Sequence, residues 1–159
     1  MKERFLIRIR ITGHRILPLQ KVNHIVKRLN TEIDNLICQG VTDFISGGAL
    51  GFDQIAAYMI IRKRQQGANV KLVFALPCRN QDKNWTVDQQ RHYRSLLSEA
   101  DEIRYISEKC SDFSLKKQTS YMVNNAEYCI CALIHSKSGT ARAIHYAQKK
   151  GLHIINVAN

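Results

Sequence analysis

The sequence has 159 residues, 45% of them hydrophobic, with 24 Lys and Arg against 13 Asp and Glu and a formal net charge of +11. The hydrophobic content excludes a disordered chain, and two Pro and eight Gly exclude collagen-like and low-complexity classes. A chain of this length buries roughly 70% of its unfolded surface, so we expect one domain over residues 1–159. The positive charge favours anionic partners: nucleic acid, nucleotides or an acidic membrane surface.

Three features predict a cytoplasmic location. No apolar run reaches the roughly 18 residues that a membrane helix needs, and the apolar stretch after Met1 is too short for a signal peptide. The cysteines are odd in number and contain no CxxC pair, which favours reduced thiols. They are Cys38, Cys78, Cys110, Cys129 and Cys131. We expect the last two to share one face of a strand as buried structural thiols, because no further metal ligands are evident nearby.

Strand-like and helix-like segments alternate along the whole chain. In order, we predict a strand at 5–12, helix 18–39, strand 42–46, helix 52–66, strand 70–76, helix 86–99, strand 102–107, helix 114–125, strand 127–134, helix 140–150 and strand 153–157. This order predicts an α/β fold whose parallel sheet is covered on both faces. The continuous apolar sequence of 127–134 predicts a strand buried on both sides.

The first strand has a different pattern. Ile7, Ile9 and Ile11 alternate with Arg8 and Arg10, which predicts one polar face and a position away from the middle of the sheet. The Arg side chains could reach a subunit interface, a ligand or solvent, and the sequence does not choose among these.

Ligands of an open parallel sheet bind outside the carboxyl ends of its strands. Four unusual stretches follow predicted strands: 12–15, 46–53, Pro77 with the loop to Trp85, and 136–140. Glycines let backbone amides approach a ligand, and a helix N-terminus attracts anions, so the second and fourth stretches suit a phosphate. The plain alternative is that these glycines only form tight turns, since neither a GxGxxG nor a P-loop pattern is present.

Individual side chains in these loops each have two interpretations. Asp53 either complements the helix dipole or grips ribose hydroxyls or a glycosidic bond. His14 could be a turn residue, and Arg15 either a solvated cation or a phosphate ligand. Trp85 either caps the core or stacks on a base. The basic runs 62–64 and 149–150 end helices, which favours solvated ends over a nucleic-acid groove.

The motifs Thr12-Gly13-His14-Arg15, 45–53, 75–77, Tyr121-Met122-Val123 and Gly139-Thr140 together resemble the YpsA-like branch of the SLOG superfamily, from about residue 5 to 157. The resemblance implies a Rossmann-like three-layer sandwich with a mostly parallel central sheet. It also implies a nucleotide or nucleotide-derived ligand, often similar to ADP-ribose, and a homo-oligomer. The superfamily includes LOG phosphoribohydrolases, DprA, which binds single-stranded DNA, and sensor domains of bacterial and phage conflict.

The sequence departs from the enzymatic pattern of that superfamily. LOG enzymes carry PGGxGTxxE with a catalytic Glu, whereas the matching stretch 136–143 has no carboxylate. Gln118, Thr119 and Ser120 stand where YpsA-like relatives usually have an Arg-rich stretch, and Asn124 follows Val123 where an Asp is usual. Because glycosidic cleavage needs a carboxylate, we expect a binding protein, a sensor or sequestering protein for an ADP-ribose-like or cyclic nucleotide, rather than an enzyme.

Two alternatives stay open: an N-glycosidase with Asp53 as its catalytic residue, and DprA-like binding of single-stranded nucleic acid. We expect no membrane partner, no metal and no certain cofactor beyond the nucleotide-derived ligand. The expected ligand-binding residues are Thr12, Gly13, His14, Arg15, Gly47, Gly48, Leu50, Gly51, Asp53, Pro77, Trp85, Ser138, Gly139 and Thr140.

Overall fold

A computed structural model describes residues 8–159, apart from the side chains of residues 8–10. In chain order the elements are β1 (Arg8–Gly13), α1 (Leu19–Cys38), β2 (Asp43–Ser46), α2 (Phe52–Gln65), β3 (Lys71–Cys78), α3 (Val87–Ser98), β4 (Glu102–Ser107), α4 (Asp112–Asn124), β5 (Tyr128–Ala132), α5 (Gly139–Lys149) and β6 (His153–Asn156). Each predicted element is present in the predicted order. Residues 5–7 of the first predicted strand lie outside the described residues.

The six strands form one parallel sheet in the order β4-β3-β2-β1-β5-β6. Helices α1, α2 and α3 share one core with one sheet face, while α4 and α5 cover the other face. The predicted Rossmann-like three-layer α/β fold is therefore confirmed. The chain runs outward from β1 to β4 and then returns to β5 on the other side, so the topological switch point lies between β1 and β5.

The expectation that the first strand lies away from the middle of the sheet is wrong. β1 pairs with β2 on one side and with β5 on the other, and Ile11 is fully buried. Backbone pairing sets the position of a strand, and both edges of β1 hold ladder hydrogen bonds whatever its side-chain alternation. The alternation of two arginines with isoleucines therefore does not indicate how many strands pair with β1.

Strands β3 and β5 each differ from prediction by two residues at their carboxyl ends. β3 continues through Pro77 to Cys78, where it pairs with β4 but no longer with β2, so one side of the strand has no strand neighbour among the described residues there. A proline without an N–H is tolerated at such a position. β5 ends at Ala132, two residues before the predicted limit, and it is buried on both faces as predicted.

The cysteines follow the prediction only in part. Cys129 and Cys131 are buried on the same face of β5, as predicted. Cys38 is a free thiol, as predicted, and it is exposed because it is the last residue of α1. Cys78 and Cys110 form a disulfide with a Cα–Cα distance of 5.1 Å, which corrects the prediction of reduced thiols at these two positions.

Helix α1 packs through the stripe Ile25, Leu29, Ile33 and Leu36, spaced three or four residues apart. Helix α3 begins with a capping box between Thr86 and Gln89. Among the described residues, no helix has the length and apolar character needed to cross a membrane. No group of three or more His, Cys, Asp or Glu side chains in residues 8–159 is arranged to hold a metal.

The end of β1 lies directly against the start of α2. The Phe52 N–H donates to the His14 carbonyl at 3.2 Å. A Cβ atom on Gly13 would collide with the Phe52 side chain, and one on Gly51 would collide with the Arg15 carbonyl. Gly51 also has a φ of +84°. The backbone contact therefore requires glycine at both positions.

Replacing Gly51 with Ala tests this contact. We expect Gly51→Ala to lower the free energy of unfolding by about 3 kcal/mol or more, since it combines an unfavourable positive φ with a backbone collision. Gly67→Ala is the control: Gly67 has a φ of +101° but nothing within 4 Å of an added Cβ, so only about 1–2 kcal/mol should be lost. Urea unfolding measures both values. Equal losses would contradict a tight β1–α2 junction.

Candidate functional site

The carboxyl ends of β1, β2 and β5 meet beside the switch point and enclose a cavity of about 360 Å³. A ligand pocket is typically 300–1,000 Å³ in volume. The lining residues come from the end of β1 and the loop after it, the loop after β2, the first turn of α2, helix α4 and the first half of α5. They are Ile11, Thr12, Gly13, His14, Arg15, Gly47, Ala49, Asp53, Leu115, Gln118, Thr119, Met122, Ser138, Gly139, Thr140 and Ala143.

The structure brings together nine of the residues expected to bind ligand and separates five. Those lining the cavity are Thr12, Gly13, His14, Arg15, Gly47, Asp53, Ser138, Gly139 and Thr140. Those outside its lining are Gly48, Leu50, Gly51, Pro77 and Trp85. The Trp85 ring packs edge-on against Tyr93, with ring centroids 5.0 Å apart, and lies against the core. This position agrees with the core-capping interpretation of Trp85.

A second depression, of about 660 Å³, lies between α1 and β6. Its lining includes Arg28, Glu32 and His153 but no glycine loop and no helix N-terminus. It therefore offers no comparable set of backbone N–H groups for an anion, and the cavity at the switch point is the better candidate site.

Buried polar side chains hold the glycine loop after β2. The Ser46 hydroxyl donates to the Asp53 carbonyl at 3.1 Å and accepts the Gly48 N–H at 3.2 Å. The Gln54 amide donates to the Gly48 carbonyl at 3.1 Å. Ser46 and Gln54 are both buried, and buried hydrogen bonds are costly to break. The loop is therefore fixed to the first turn of α2.

Gln81 holds the same loop from the other side. Its amide donates to the Gly47 carbonyl at 3.3 Å and to the Tyr93 hydroxyl at 3.1 Å. Burial raises the pKa of Tyr93 to about 12, so this hydroxyl stays neutral at physiological pH. The polypeptide between β3 and α3 thus supports the site without lining the cavity.

The N-terminus of α5 faces the cavity. The Ser138 hydroxyl accepts the Ala141 N–H at 3.1 Å and donates to the His135 carbonyl at 3.0 Å. The first turn of α5 contains no acidic residue, so no carboxylate of that turn offsets the positive end of the helix dipole. Gly139 leaves open space, since an added Cβ would meet only the Arg142 guanidinium, at 3.9 Å. This helix end can accept an anion.

Helix α4 forms a wall that the sequence did not assign to the site. Leu115, Gln118, Thr119 and Met122 line the cavity, and the Gln118 amide donates to the Ala75 carbonyl of β3 at 2.8 Å. The spacing of these residues at i, i+3, i+4 and i+7 was a signal for one helix face. Only the packing of α4 across β3 shows that this face points to the loops.

Asp53 is the one carboxylate among the described residues that line the cavity. It is buried, with 8% exposure, in the first turn of α2. The residue that matches the catalytic Glu of the LOG pattern is Ala143, which also lines the cavity. Glycosidases generally use two carboxylates, so the described lining lacks the second acid or base.

His14 joins the loop after β1 to the loop after β5. Its Nε2 accepts the N–H groups of Ile134 and His135 at 3.0 and 3.3 Å, and its ring centroid lies 5.1 Å from that of His135. Burial lowers the pKa of His14, and the neighbouring His135 lowers it further. A neutral ring with its proton on Nδ1 satisfies both hydrogen bonds. His14 therefore joins the two loops and also lines the cavity.

The lowered pKa of His14 predicts a dependence of stability on pH. The unfolded state takes up a proton near pH 6.5 and the folded state only at lower pH, so the stabilisation is complete above about pH 6.5 and is lost as pH falls through the folded pKa. We expect the melting temperature to fall on acidification from about pH 7.5 to 5 less in His14→Gln than in the wild type. His92→Gln, on the exposed surface of α3, is the control. Identical pH profiles for wild type and His14→Gln would contradict the role of the neutral His14 ring in joining the two loops.

Three comparisons place this geometry among known proteins. The YpsA family model, described as the YspA SLOG family, matches residues 9–154. The SPbeta prophage-derived protein YoqJ of Bacillus subtilis (strain 168) is 35% identical over 118 residues, covering 67% of this chain and 69% of YoqJ.

Solved structures of DNA processing protein A (DprA) are similar in fold. That from Streptococcus pneumoniae has a TM-score of 0.66 at 13% identity, covering 94% of this chain and 49% of its own. That from Helicobacter pylori has a TM-score of 0.62 at 20% identity, covering 93% of this chain and 63% of its own. The chain thus spans about half to two thirds of these proteins. Given a family match over nearly its whole described length, the chain belongs to the YspA SLOG family.

Proposed function

We propose that the chain binds a nucleotide or nucleotide-derived ligand in the cavity at the switch point and acts as a sensor or sequestering protein. The observation that carries the proposal is the convergence of two glycine loops and the uncompensated N-terminus of α5 on one cavity of about 360 Å³. Arg15, exposed at the same cavity, adds a positive charge. This combination suits a phosphate or diphosphate.

The other lining residues suit the rest of a nucleotide. Asp53 would accept hydrogen bonds from ribose hydroxyls, since a carboxylate is a strong acceptor. Leu115 and Met122 of α4 supply apolar surface for a base. A ligand similar to ADP-ribose or a cyclic nucleotide presents all three of these chemical groups. An N-glycosidase that uses Asp53 is less well supported, because Ala143 leaves the described lining with one carboxylate.

A second candidate function is binding of single-stranded nucleic acid. It is favoured by the net charge of +11 and by the fold shared with Helicobacter pylori DprA, whose structure is described as showing a single-stranded DNA binding mode. Against it, two cations of the basic run 62–64 pair with neighbours: Lys63 with Asp34 at 2.6 Å and Arg64 with Asp101 at 2.6 Å. They lie in the last turn of α2, and Arg64 reaches through Asp101 to the start of β3, whereas the cavity lies at the carboxyl ends of the strands.

We also propose that the protein is cytoplasmic, has a role related to phage or bacterial defence, and forms a homo-oligomer.

The exposed edge of the sheet could form the contact of such an oligomer. The outer edge of β4 has no strand partner among the described residues, and Ile103 and Tyr105 are 37% and 38% exposed there. Antiparallel pairing of two copies about Ile103 would place Glu102 opposite Arg104 of the second copy, which is favourable. Light scattering in solution measures whether the chain is a monomer or a dimer.

Arg15→Gln tests the ligand proposal. We expect wild-type protein to bind one or more of ADP-ribose, NAD, AMP and a cyclic nucleotide in calorimetry, and Arg15→Gln to bind about tenfold more weakly through loss of a charge-assisted hydrogen bond. Arg94→Gln is the control, since it removes the same charge from the exposed surface of α3. Absence of binding for the whole panel up to about 1 mM would contradict the proposal.

Salt dependence separates the two candidate functions. We expect a mononucleotide to bind at least as tightly as a single-stranded oligonucleotide at about 150 mM salt, because the cavity is sized for one nucleotide. Oligonucleotide binding measured by fluorescence anisotropy should then fall to a weak level between about 50 and 200 mM salt. Much tighter binding of the oligonucleotide at the higher salt would favour the nucleic-acid function instead.

A further inference from the structure

Cys78 and Cys110 join two segments that border the candidate site. Cys78 is the last residue of β3 and is fully buried, whereas Cys110 is exposed and immediately precedes Ser111, the N-cap of α4. The disulfide closes a separation of 32 residues, which contains α3 and β4. Its Cα–Cα distance of 5.1 Å is within the ordinary range for a disulfide.

The disulfide fixes the start of the helix that forms one wall of the cavity. Leu115 and Gln118 of that wall follow Cys110 by five and eight residues. The Gln118 amide binds the Ala75 carbonyl, three residues before Cys78 on β3. The disulfide and this hydrogen bond therefore hold the same helix to the same strand. Loss of the disulfide leaves the first turn of α4, where Phe113 is 64% exposed, with few buried anchors besides Ser114.

Several observations argue that this disulfide is reversible. A chain of 159 residues buries enough surface to fold without a staple. Cys38, exposed at the end of α1, stays a free thiol. One of the two sulfur-bearing residues is exposed, and exposed disulfides are the ones that exchange readily with thiols. In a reducing compartment, where we expect this protein, protein disulfides are usually transient and redox-sensing.

We propose that Cys78 and Cys110 form a reversible thiol–disulfide site that controls the position of the α4 wall, and through it ligand binding in the cavity. The ligand part of this inference rests on the proposed function. The oxidant is a low-molecular-weight disulfide, RSSR, and the exposed position of Cys110 makes it the entry point. The Cys110 thiolate attacks one sulfur of RSSR, forms a mixed disulfide and releases one RSH.

Cys78 then resolves the mixed disulfide. Its thiolate attacks the Cys110 sulfur, forms the intramolecular bond and releases the second RSH. Two protein thiols are oxidised, one RSSR is reduced, and the two protons lost by the protein end on the two RSH molecules. Excess RSH reverses both steps. The oxidised form holds α4 against the end of β3, and the reduced form frees its first turns.

The test equilibrates the full chain in glutathione buffers of graded redox poise. Alkylation followed by intact-mass and peptide analysis measures the Cys78–Cys110 link, and hydrogen exchange measures the protection of residues 112–119. We expect a reversible link, and exchange in 112–119 about tenfold slower in the oxidised form. In Cys110→Ser the link and the redox effect on exchange should both disappear. Cys38→Ser, an exposed free cysteine, should behave as wild type.

Two results would overturn the inference: no Cys78–Cys110 link in the most oxidising buffer, or a link that leaves exchange in 112–119 unchanged. Both readouts are independent of any ligand, and Cys110→Ser alters an exposed residue, so misfolding is easily checked by its melting temperature. Calorimetry with ADP-ribose on the two redox forms then tests the ligand part, with a change of at least about threefold in affinity expected. If neither form binds any nucleotide, the proposed function fails, while the redox site is still judged by mass and exchange.

Discussion

The site depends on one backbone contact, in which the end of β1 packs directly on the start of α2. The Phe52 N–H reaches the His14 carbonyl, and the missing side chain of Gly51 makes room for the Arg15 carbonyl. This contact sets the distance between the loop that carries Arg15 and the loop that carries Gly47. A residue with a Cβ at Gly51 would separate the two loops, and the cavity between them would lose its shape.

Polar groups around that contact keep the loops in place, and among the described residues the cavity that they border is lined by one cation, Arg15, and one carboxylate, Asp53. Ser46 and Gln54 bind the second glycine loop from within the core, and His14 ties the loop after β1 to the loop after β5 as a neutral ring. Because the uncharged form of His14 accepts these N–H groups, it adds no positive charge of its own at neutral pH. The attraction for an anion therefore comes from Arg15 and from the dipole at the start of α5.

The sequence predicts the framework of this molecule well and its long-range contacts poorly. Hydrophobic periodicity located the helices and strands of residues 8–159, and the glycines that follow predicted strands include Gly47 and Gly139, which line the cavity. The wall formed by Gln118 and its neighbours depends on how α4 lies across β3, which no local pattern specifies. The pairing of Cys78 with Cys110 likewise depends on the return of the chain through α3 and β4. The central position of β1 follows from its backbone hydrogen bonds, and the alternation of side chains along the strand does not predict these.

The central claim is that the cavity holds a nucleotide or nucleotide-derived ligand, with Asp53 on the ribose. It is tested most directly by mass spectrometry of the small molecules that wild type and Asp53→Asn retain after equilibration with a metabolite extract, washing and denaturation. The account predicts a phosphate-containing nucleotide species enriched on the wild type and strongly reduced on Asp53→Asn, with both proteins equally folded. The same set of molecules, or no nucleotide at all, on both proteins would contradict it.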